Sequence, residues 1–347
     1  MRYRAIALVL CLGLALLAAS PALAQYQLTN LVSNQQGQAK HTDPLLVNGW
    51  GLAFGPGGPI WVNDQGSGWA TVYDGKGNGF PPPPNGPLRV VIPSASGAGP
   101  GQPTGIVFNG SQDFSIQGKH TVFLFATLDG TISGWAPQAN PNEAIITVPN
   151  TTSAVYTGLA VTNNANGNML FAADLANNKV DMYDGNFNLV SSFTDSTVPA
   201  GFAPFGIQDI DGLVYVAYAA VDEGPGGVID IYSESGVFLK RLAQGSPLNQ
   251  PWGMTAAPKN FGPLSNTLLV SNNTNHGMIN AFNALTGQFV GTVKDVNGKP
   301  IVINQLWGIL FGGGTANDGA TNQLFFAAGP DNNLAGTFGM ITFTNPK

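Results

Sequence analysis

Hydrophobic positions along this chain fall in short runs that are rich in β-branched and aromatic residues and are separated by Gly, Pro, Asn and Asp. Residues 59–64 and 69–75 form two such runs, and residues 168–174 and 179–185 repeat the same plan further along. No unit of this pattern contains a long stretch with apolar residues at helical spacing, which argues against helical crossovers. The pattern therefore predicts short strands joined by turns.

A tripeptide of a larger residue, a glycine and an aliphatic residue recurs about every fifty residues. Its glycines are Gly51, Gly105, Gly158, Gly206, Gly253 and Gly308. A repeat of this length with four short strands is typical of a propeller blade. The sequence thus predicts an all-β fold, a six-bladed β-propeller, with blades near residues 48–95, 102–150, 155–196, 203–245, 250–296 and 305–344. At each glycine we expect the inner strands to approach closely, because no side chain separates them.

The last repeat lacks an outer strand. It offers three strands, at residues 307–311, 323–328 and 336–344. Residues 26–34 at the other end of the chain form a further strand-like run. We expect this run to complete the last blade and close the ring, because closure hides an edge that would otherwise pair with other chains.

The first 24 residues carry the features of a secretory signal peptide. Arg2 and Arg4 precede an apolar run at residues 5–19, and an Ala-x-Ala sequence ends at Ala24. The apolar run is shorter than the roughly 20 residues that span a bilayer. The sequence therefore predicts export, a secreted or periplasmic location, no membrane span, and a single propeller domain over residues 25–347.

Charged residues make up only 9% of the chain, and the formal net charge is −6. An acidic chain without a cluster of Lys or Arg lacks the basic surface that nucleic acids require, so no nucleic-acid partner is expected. The partner classes that fit are an extracellular glycan, a peptide or a surface protein, and we expect a monomer.

Residues whose side chains can bind a ligand or a metal ion fall in the loops at one mouth of the predicted channel. In each blade one loop enters the first strand and another joins the second strand to the third, and both reach this mouth. These loops carry His41, Asp43, Asn48, Asp64, Asp129, Asp174, Asp222, Glu223, Asn272, Asn275, His276 and Asp331. Trp50, Trp252 and Trp307 would add an apolar platform where they are exposed. The sequence therefore predicts a ligand-binding site at this mouth.

Two interpretations of the acidic residues stay open. Convergent carboxylates with Asn side chains suit Ca²⁺, whereas His with carboxylates suits Zn²⁺. Asp64, Asp129 and Asp174 instead stand at strand ends, where an Asp often accepts hydrogen bonds from the backbone of a turn. We expect no bound cofactor, with Ca²⁺ or Zn²⁺ as the alternatives.

Two segments resemble known propellers. Residues 170–184 resemble an NHL-type repeat, in which a strand ending in Asp is followed by a polar turn and a Val-x-x-Tyr-Asp strand. Residues 41–53 are similar to the start of an uncharacterised family of secreted bacterial propellers, some of which end in a PEP-CTERM sorting tail. The resemblance implies the fold and export, and no established activity. Because residues 345–347 do not form such a tail, it does not imply that route of sorting.

Other propellers that the chain resembles suggest chemistry. Gluconolactonase-like enzymes hold a divalent metal with a Glu of the first blade, and the first blade here contains no Glu. Amidating lyases of similar architecture use several histidines around zinc, which His41 and His276 would supply. The leading hypothesis is a binding or scaffold module that acts through its channel-mouth loops. The alternative is a metal-dependent hydrolase or lyase of the gluconolactonase-like type, with an ion between His41, Asp43 and His276.

Overall fold

The computed structural model describes residues 25–164 and 167–344, so the predicted signal peptide lies outside the described residues. Within these ranges the chain forms six sheets, most of their pairs antiparallel, and a single 3₁₀ turn at Gly262–Leu264. The sheets are arranged around a central channel, which confirms the six-bladed β-propeller. No helix in the described part of the chain is both long and apolar enough to cross a membrane.

The strands are numbered in chain order. The first two are β1 (Gln25–Ser33) and β2 (His41–Thr42). Blade 1 contains β3 (Gly49–Ala53), β4 (Ile60–Asp64), β5 (Trp69–Tyr73) and β6 (Arg89–Val91), and blade 2 contains β7 (Pro103–Phe108), β8 (Phe123–Thr127), β9 (Ile132–Trp135) and β10 (Ile145–Val148). Blade 3 contains β11 (Tyr156–Asn164), β12 (Gly167–Asp174), β13 (Lys179–Tyr183) and β14 (Leu189–Phe193), and blade 4 contains β15 (Phe202–Ile210), β16 (Leu213–Ala220), β17 (Val228–Ser233) and β18 (Phe238–Gln244). Blade 5 contains β19 (Pro251–Ala256), β20 (Leu268–Asn272), β21 (Ile279–Phe282) and β22 (Phe289–Thr292), and blade 6 contains β23 (Leu306–Phe311), β24 (Gln323–Ala328) and β25 (Thr337–Thr344).

The two ends of the described chain meet in blade 6. Strand β1 runs antiparallel to β25, with Gln25 opposite Thr344 and Ser33 opposite Thr337. Strand β2 then pairs parallel with β1 as the outermost strand of this sheet. The predicted closure of the ring by the N-terminal strand is therefore confirmed.

The inner strands β3, β7, β11, β15, β19 and β23 contact one another in sequence, and β23 contacts β3. A Cβ added to any tripeptide glycine would lie 3.1 Å or less from a backbone atom of the next blade. Gly206 faces the carbonyl of Trp252, and Gly308 faces the carbonyl of Trp50 across the seam of the ring. The glycines thus set how closely the blades approach the channel, as predicted.

Within the described ranges, the apolar core consists of six clusters of buried side chains. One cluster spans the seam between the last and first blades and includes Leu31 of β1, Val62 of β4 and Phe338 of β25. Each fully buried side chain of this size contributes roughly 1.5–3 kcal/mol to folding. The seam is therefore stabilised by apolar packing as well as by strand pairing.

Candidate functional site

Three tryptophans obstruct the central channel. The indoles of Trp50 and Trp307 stack with ring centroids 3.5 Å apart and an interplanar angle of 20°. Trp252 stands nearly perpendicular to both, at 6.3 Å from Trp50 and 6.1 Å from Trp307. We call this group the indole plug. Trp50 and Trp307 are 5% and 3% exposed, so they are buried and do not form an open platform.

Hydrogen bonds fix the orientation of the plug. The Trp307 Nε1–H donates to Asn48 Oδ1 at 2.9 Å, and the Trp252 Nε1–H donates to the carbonyl oxygen of Thr157, also at 2.9 Å. The second bond runs from blade 5 to blade 3. Ring stacking and these bonds together hold the indoles across the channel and divide its two mouths.

A large cavity lies on the side of the plug that the sequence predicted as the ligand mouth. Its volume is about 1340 Å³, and Trp50, Phe205 and Trp307 contribute to its lining. We call it the upper chamber. Its other walls are rich in side-chain amides, which come from Asn48, Gln65, Asn249, Gln250, Asn272, Asn273, Asn275, Gln305 and Asn333. Among the described residues that line it, only Glu223 and His276 are titratable.

Some of these amides are held by other amides. Asn48 Nδ2 donates to Gln65 Oε1 at 2.7 Å, and Gln65 Nε2 donates to Gln102 Oε1 at 2.8 Å. Gln305 Nε2 donates to Asn275 Oδ1 at 2.9 Å. A primary amide has two donor hydrogens and an acceptor oxygen with two lone pairs, so each of these bonds leaves further hydrogen-bonding capacity. The upper chamber is therefore lined by oriented groups that both donate and accept.

Three of the lining amides share one backbone position. Asn48, Gln250 and Gln305 each stand two residues before a tryptophan of the plug, and their φ angles are 50°, 51° and 51°. Each of their carbonyl oxygens accepts a hydrogen bond at 2.8–3.1 Å, and the donors are the backbone N–H groups of Gln65, Asn273 and Gly329. A left-handed conformation is uncommon for Gln, and such backbone outliers concentrate at functional sites. The recurrence of an amide at this position was a signal that sequence reasoning missed for Gln250 and Gln305.

Other predicted site residues line the same chamber. Asn48, Trp50, Asn272, His276 and Trp307 all contribute to its surface. Asn272 is buried and bound to the backbone, because its Nδ2 donates to the carbonyl of Pro247 at 2.8 Å and its Oδ1 accepts from the N–H of Asn249 at 3.1 Å. Asn272 thus holds the loop before β19 in place. His276 is exposed.

His41 and Asp43 stand far from the channel in the strand order. His41 belongs to β2, the outermost strand of blade 6. The Asp43 carboxylate is buried, pairs with Arg89 at 3.1 Å and accepts a hydrogen bond from the Tyr73 hydroxyl at 3.2 Å. Neither residue lines the upper chamber, so the structure does not bring His41, Asp43 and His276 together around an ion.

Asp174 and Asp331 are parts of turns. Asp174 Oδ1 accepts from the backbone N–H groups of Val155 and Asn177 at 3.1 and 3.2 Å, which is the turn-capping arrangement. Asp331 is exposed, and its φ of 58° places it in the left-handed region of a turn before β25. Neither carboxylate lines the chamber.

Both carboxylate oxygens of Asp64 and the Oδ2 of Asp129 are buried and lie beyond hydrogen-bonding geometry of any donor among the described residues. Asp64 is fully buried, and desolvation raises the pKa of its carboxyl group well above the usual value. The nearby charge of Asp43 raises the pKa further, while the Thr71 side chain and Arg89 oppose the shift. In the described ranges, no group of three or more His, Cys, Asp or Glu side chains is arranged to hold a metal ion.

The chain is 30% identical over 342 residues to an uncharacterised protein of Acanthamoeba polyphaga mimivirus, which covers 92% of this chain and 81% of that protein. A second uncharacterised mimivirus protein is 29% identical over 310 residues, which covers 83% of this chain and 79% of that protein. No protein-family profile matches the chain.

Among solved structures, virginiamycin B lyase from Staphylococcus aureus is 13% identical with a TM-score of 0.53, over 92% of this chain and 100% of that one. A streptogramin B lyase structure is 11% identical with a TM-score of 0.52, over 92% and 98% of the two chains. Likeness at this level of identity shows the shared propeller fold, and a fold alone does not assign an activity.

Proposed function

This chain belongs to the family of the uncharacterised mimivirus proteins, and we propose that it is a binding propeller whose upper chamber takes up an uncharged, hydroxyl-rich ligand, such as a glycan. The observation that carries the proposal is the set of amides that line the chamber. Asn48, Gln250 and Gln305 share a left-handed conformation: Asn48 and Gln250 are buried and bonded to neighbouring groups of the wall, and Gln305 is partly exposed. The backbone cost of these positions is of order 1–3 kcal/mol each, which a fold retains where the side chain has a task.

The chemistry of the walls favours a neutral ligand. Amides and hydroxyl groups are both donors and acceptors, so a polyhydroxylated ligand finds matching partners at most points of the surface. A charged ligand would lose hydration and, apart from Glu223 and His276, would find no charged group in the lining. Of the aromatic residues in the lining, Phe205 is partly exposed and suits the apolar face of a sugar ring, whereas Trp50 and Trp307 are buried against each other.

The size of the upper chamber favours a ligand larger than a single small molecule. Its volume of about 1340 Å³ exceeds the roughly 300–1,000 Å³ of common small-molecule sites. We therefore favour an oligosaccharide over a monosaccharide. The sequence also allows a neutral peptide or a loop of a surface protein as the ligand. We do not favour the metal-dependent hydrolase or lyase, because among the described residues His41 and Asp43 do not line the chamber to which His276 contributes.

The test is a glycan array probed with the wild type, with Gln305→Ala and with Gln288→Ala. Gln305 lines the chamber, whereas Gln288 is exposed on the outer side of blade 5 and serves as the matched control. We expect bound glycans whose affinity falls about tenfold in Gln305→Ala, since one lost hydrogen-bonding group is worth about 1.4 kcal/mol. Equal affinity in all three proteins, or binding of neutral peptides without any glycan, would overturn the proposal.

Export is part of the same proposal, because the first 24 residues carry the features of a secretory signal peptide. The predicted cleavage precedes Gln25, which is also the first residue of β1. N-terminal sequencing of protein recovered from the periplasm or the medium should therefore begin at Gln25. Recovery of the protein only in the cytoplasm with its first 24 residues attached would contradict export.

A further inference from the structure

A second, smaller cavity lies at the opposite mouth of the channel. Its volume is about 400 Å³, and residues of all six inner strands line it. We call it the lower chamber. Part of its wall is aliphatic, from Leu52, Ile106, Val161, Met254 and Ile309, and Gln208 and Thr255 add polar groups. Four of these, Leu52, Ile106, Met254 and Ile309, are the third residues of repeated tripeptides, so they lie just below the indole plug.

The charged side chains that line the lower chamber are all acidic among the described residues. Among the described residues of its lining, Asp209 and Asp211 are the charged ones, and no Lys, Arg or His contributes. Asp211 and Gly212, with φ angles of 53° and 76°, form the tight two-residue turn between β15 and β16. Asp209 Oδ1 accepts a hydrogen bond from the N–H of Gly212 at 3.1 Å. The Asp209 carboxylate is thereby fixed at the chamber wall by a rigid turn.

The surroundings of Asp209 are unfavourable for an isolated carboxylate. Burial raises the pKa of Asp209 to about 6, and the negative charges of Glu234 and Asp211 add to the increase, while the Gly212 N–H opposes it. A cation at this position would remove that penalty, because an opposite charge favours the ionised carboxylate. The aliphatic walls cannot supply the six to eight oxygen ligands that a Ca²⁺ ion takes.

We propose that the lower chamber binds a small organic cation, with an ammonium group against the Asp209 carboxylate and an apolar body against the aliphatic walls. The carboxylate side of the chamber matches the positive charge of such a ligand, and the aliphatic side matches its hydrocarbon part. Because the indole plug separates the chambers, this site is independent of the glycan site of the upper chamber.

The experiment is calorimetric titration of the full mature protein with butylammonium, hexylammonium and the neutral analogue 1-hexanol. We expect hexylammonium to bind, and each CH₂ group added between butyl and hexyl to increase the affinity by about fourfold. The affinity should fall when the pH is lowered from about 7.5 to about 5, since Asp209 then takes up a proton. Hexanol should bind at least about tenfold more weakly than hexylammonium.

Substitutions in the chamber lining test whether the amine binds there. Asp209→Asn should weaken hexylammonium binding by about tenfold or more. Asp222→Asn is the matched control, because Asp222 also accepts a hydrogen bond from a glycine N–H in a turn, at Gly224, but lies outside both linings. If Asp209→Asn does not fold, Ala256→Phe offers a second variant, since Ala256 is an exposed lining residue and a larger side chain there would occlude the lower chamber.

Three results would overturn the proposal: equal affinity for hexanol and hexylammonium, unchanged binding in both Asp209→Asn and Ala256→Phe, or no binding at about 10 mM amine. A lysine-containing neutral peptide is tested in parallel. Binding of that peptide without binding of the free amine would also overturn the assignment to a small molecule.

Discussion

Trp50 and Trp307 stack their indole rings at a centroid distance of 3.5 Å, although one residue lies in the inner strand of the first blade and the other in that of the last. The pair therefore joins the blades at which the ring closes. Stacked aromatic pairs contribute about 0.5–1.5 kcal/mol beyond the burial of their surface. The seam thus has an aromatic contact at the channel, an apolar cluster further out and strand pairing at the edge.

Replacement of Trp307 by Ala should destabilise the fold by about 3–5 kcal/mol, because loss of the buried indole leaves a cavity and removes the N–H donor to Asn48 Oδ1. Urea denaturation measures the change. Trp69→Ala, at a half-buried position of β5, is the control and should cost less. An equal loss in the two variants would show that Trp307 has no special role at the seam.

Replacement of Gly206 by Ala should destabilise the protein by about 3 kcal/mol or more, because the new methyl group would overlap the carbonyl of Trp252 in the next blade. Gly291→Ala is the matched control. A Cβ there meets only a Leu264 methyl group at 3.7 Å, and a compatible Gly-to-Ala change stabilises by about 0.4–1 kcal/mol. Thermal melts that place both variants on the same side of the wild type would contradict the close-approach argument.

These glycines show which features the sequence could predict. A period near fifty residues indicates the blade architecture. The glycine that recurs in each tripeptide indicates a close contact with the next blade, which every blade repeats. The ring closure followed because residues 26–34 supply a strand that the last repeat lacks. Such features depend on local patterns that recur, so they can be recognised without coordinates.

The site was only partly predictable. Trp50 and Trp307 stood at the expected mouth, but their stacking against each other buries them, which periodicity does not reveal. His41 was expected at this mouth, and the parallel pairing of β2 with β1 places it in the outermost strand. Gln250 and Gln305 were missed because an amide before a tryptophan carries no chemical signature until its backbone angle is known.

The left-handed backbone at Gln305 allows the effects of a substitution on ligand binding and on stability to be measured separately. Gln305→Gly should leave the free energy of unfolding within about 1 kcal/mol of the wild type and above that of Gln305→Ala, because glycine adopts positive φ without strain. Both variants should lose affinity for the glycan equally, since both lack the amide. Chemical denaturation and glycan titration of the same samples measure the two effects. A Gly variant less stable than the Ala variant would contradict the strain argument.

Asp64 should make stability decrease with rising pH. Burial raises the pKa of this carboxyl in the folded state, so between its usual value near 3.8 and the raised value the folded protein keeps a proton that the unfolded chain has released. The free energy of unfolding therefore falls as the pH rises above about 4, by at most about 1.4 kcal/mol per pH unit for one proton. Asp64→Asn should flatten this slope in urea titrations from about pH 4 to about pH 7. An unchanged slope would show that Asp64 is ionised throughout.

Metal addition tests the catalytic alternative. Thermal melts after EDTA treatment, followed by Ca²⁺ or Zn²⁺, should give the same shifts in the wild type and in a His41→Ala/His276→Ala double variant, because His41 lies in the outermost strand of its sheet and does not line the chamber to which His276 contributes. An ion bound at 100 times its dissociation constant would stabilise the folded state by about 2.7 kcal/mol. A Zn²⁺ shift that disappears in the double variant would restore the metal-dependent hydrolase or lyase.

The pairing of Gln25 with Thr344 has a topological consequence. A short peptide joining these neighbours would make the backbone circular, and a cut at Leu285, which is 82% exposed in the turn between β21 and β22, would open it again elsewhere. The permuted chain would retain every strand pair, with its new ends sharing blade 5 as the native ends share blade 6. The blade at which the chain starts is therefore interchangeable, whereas the cyclic order of the blades stays fixed.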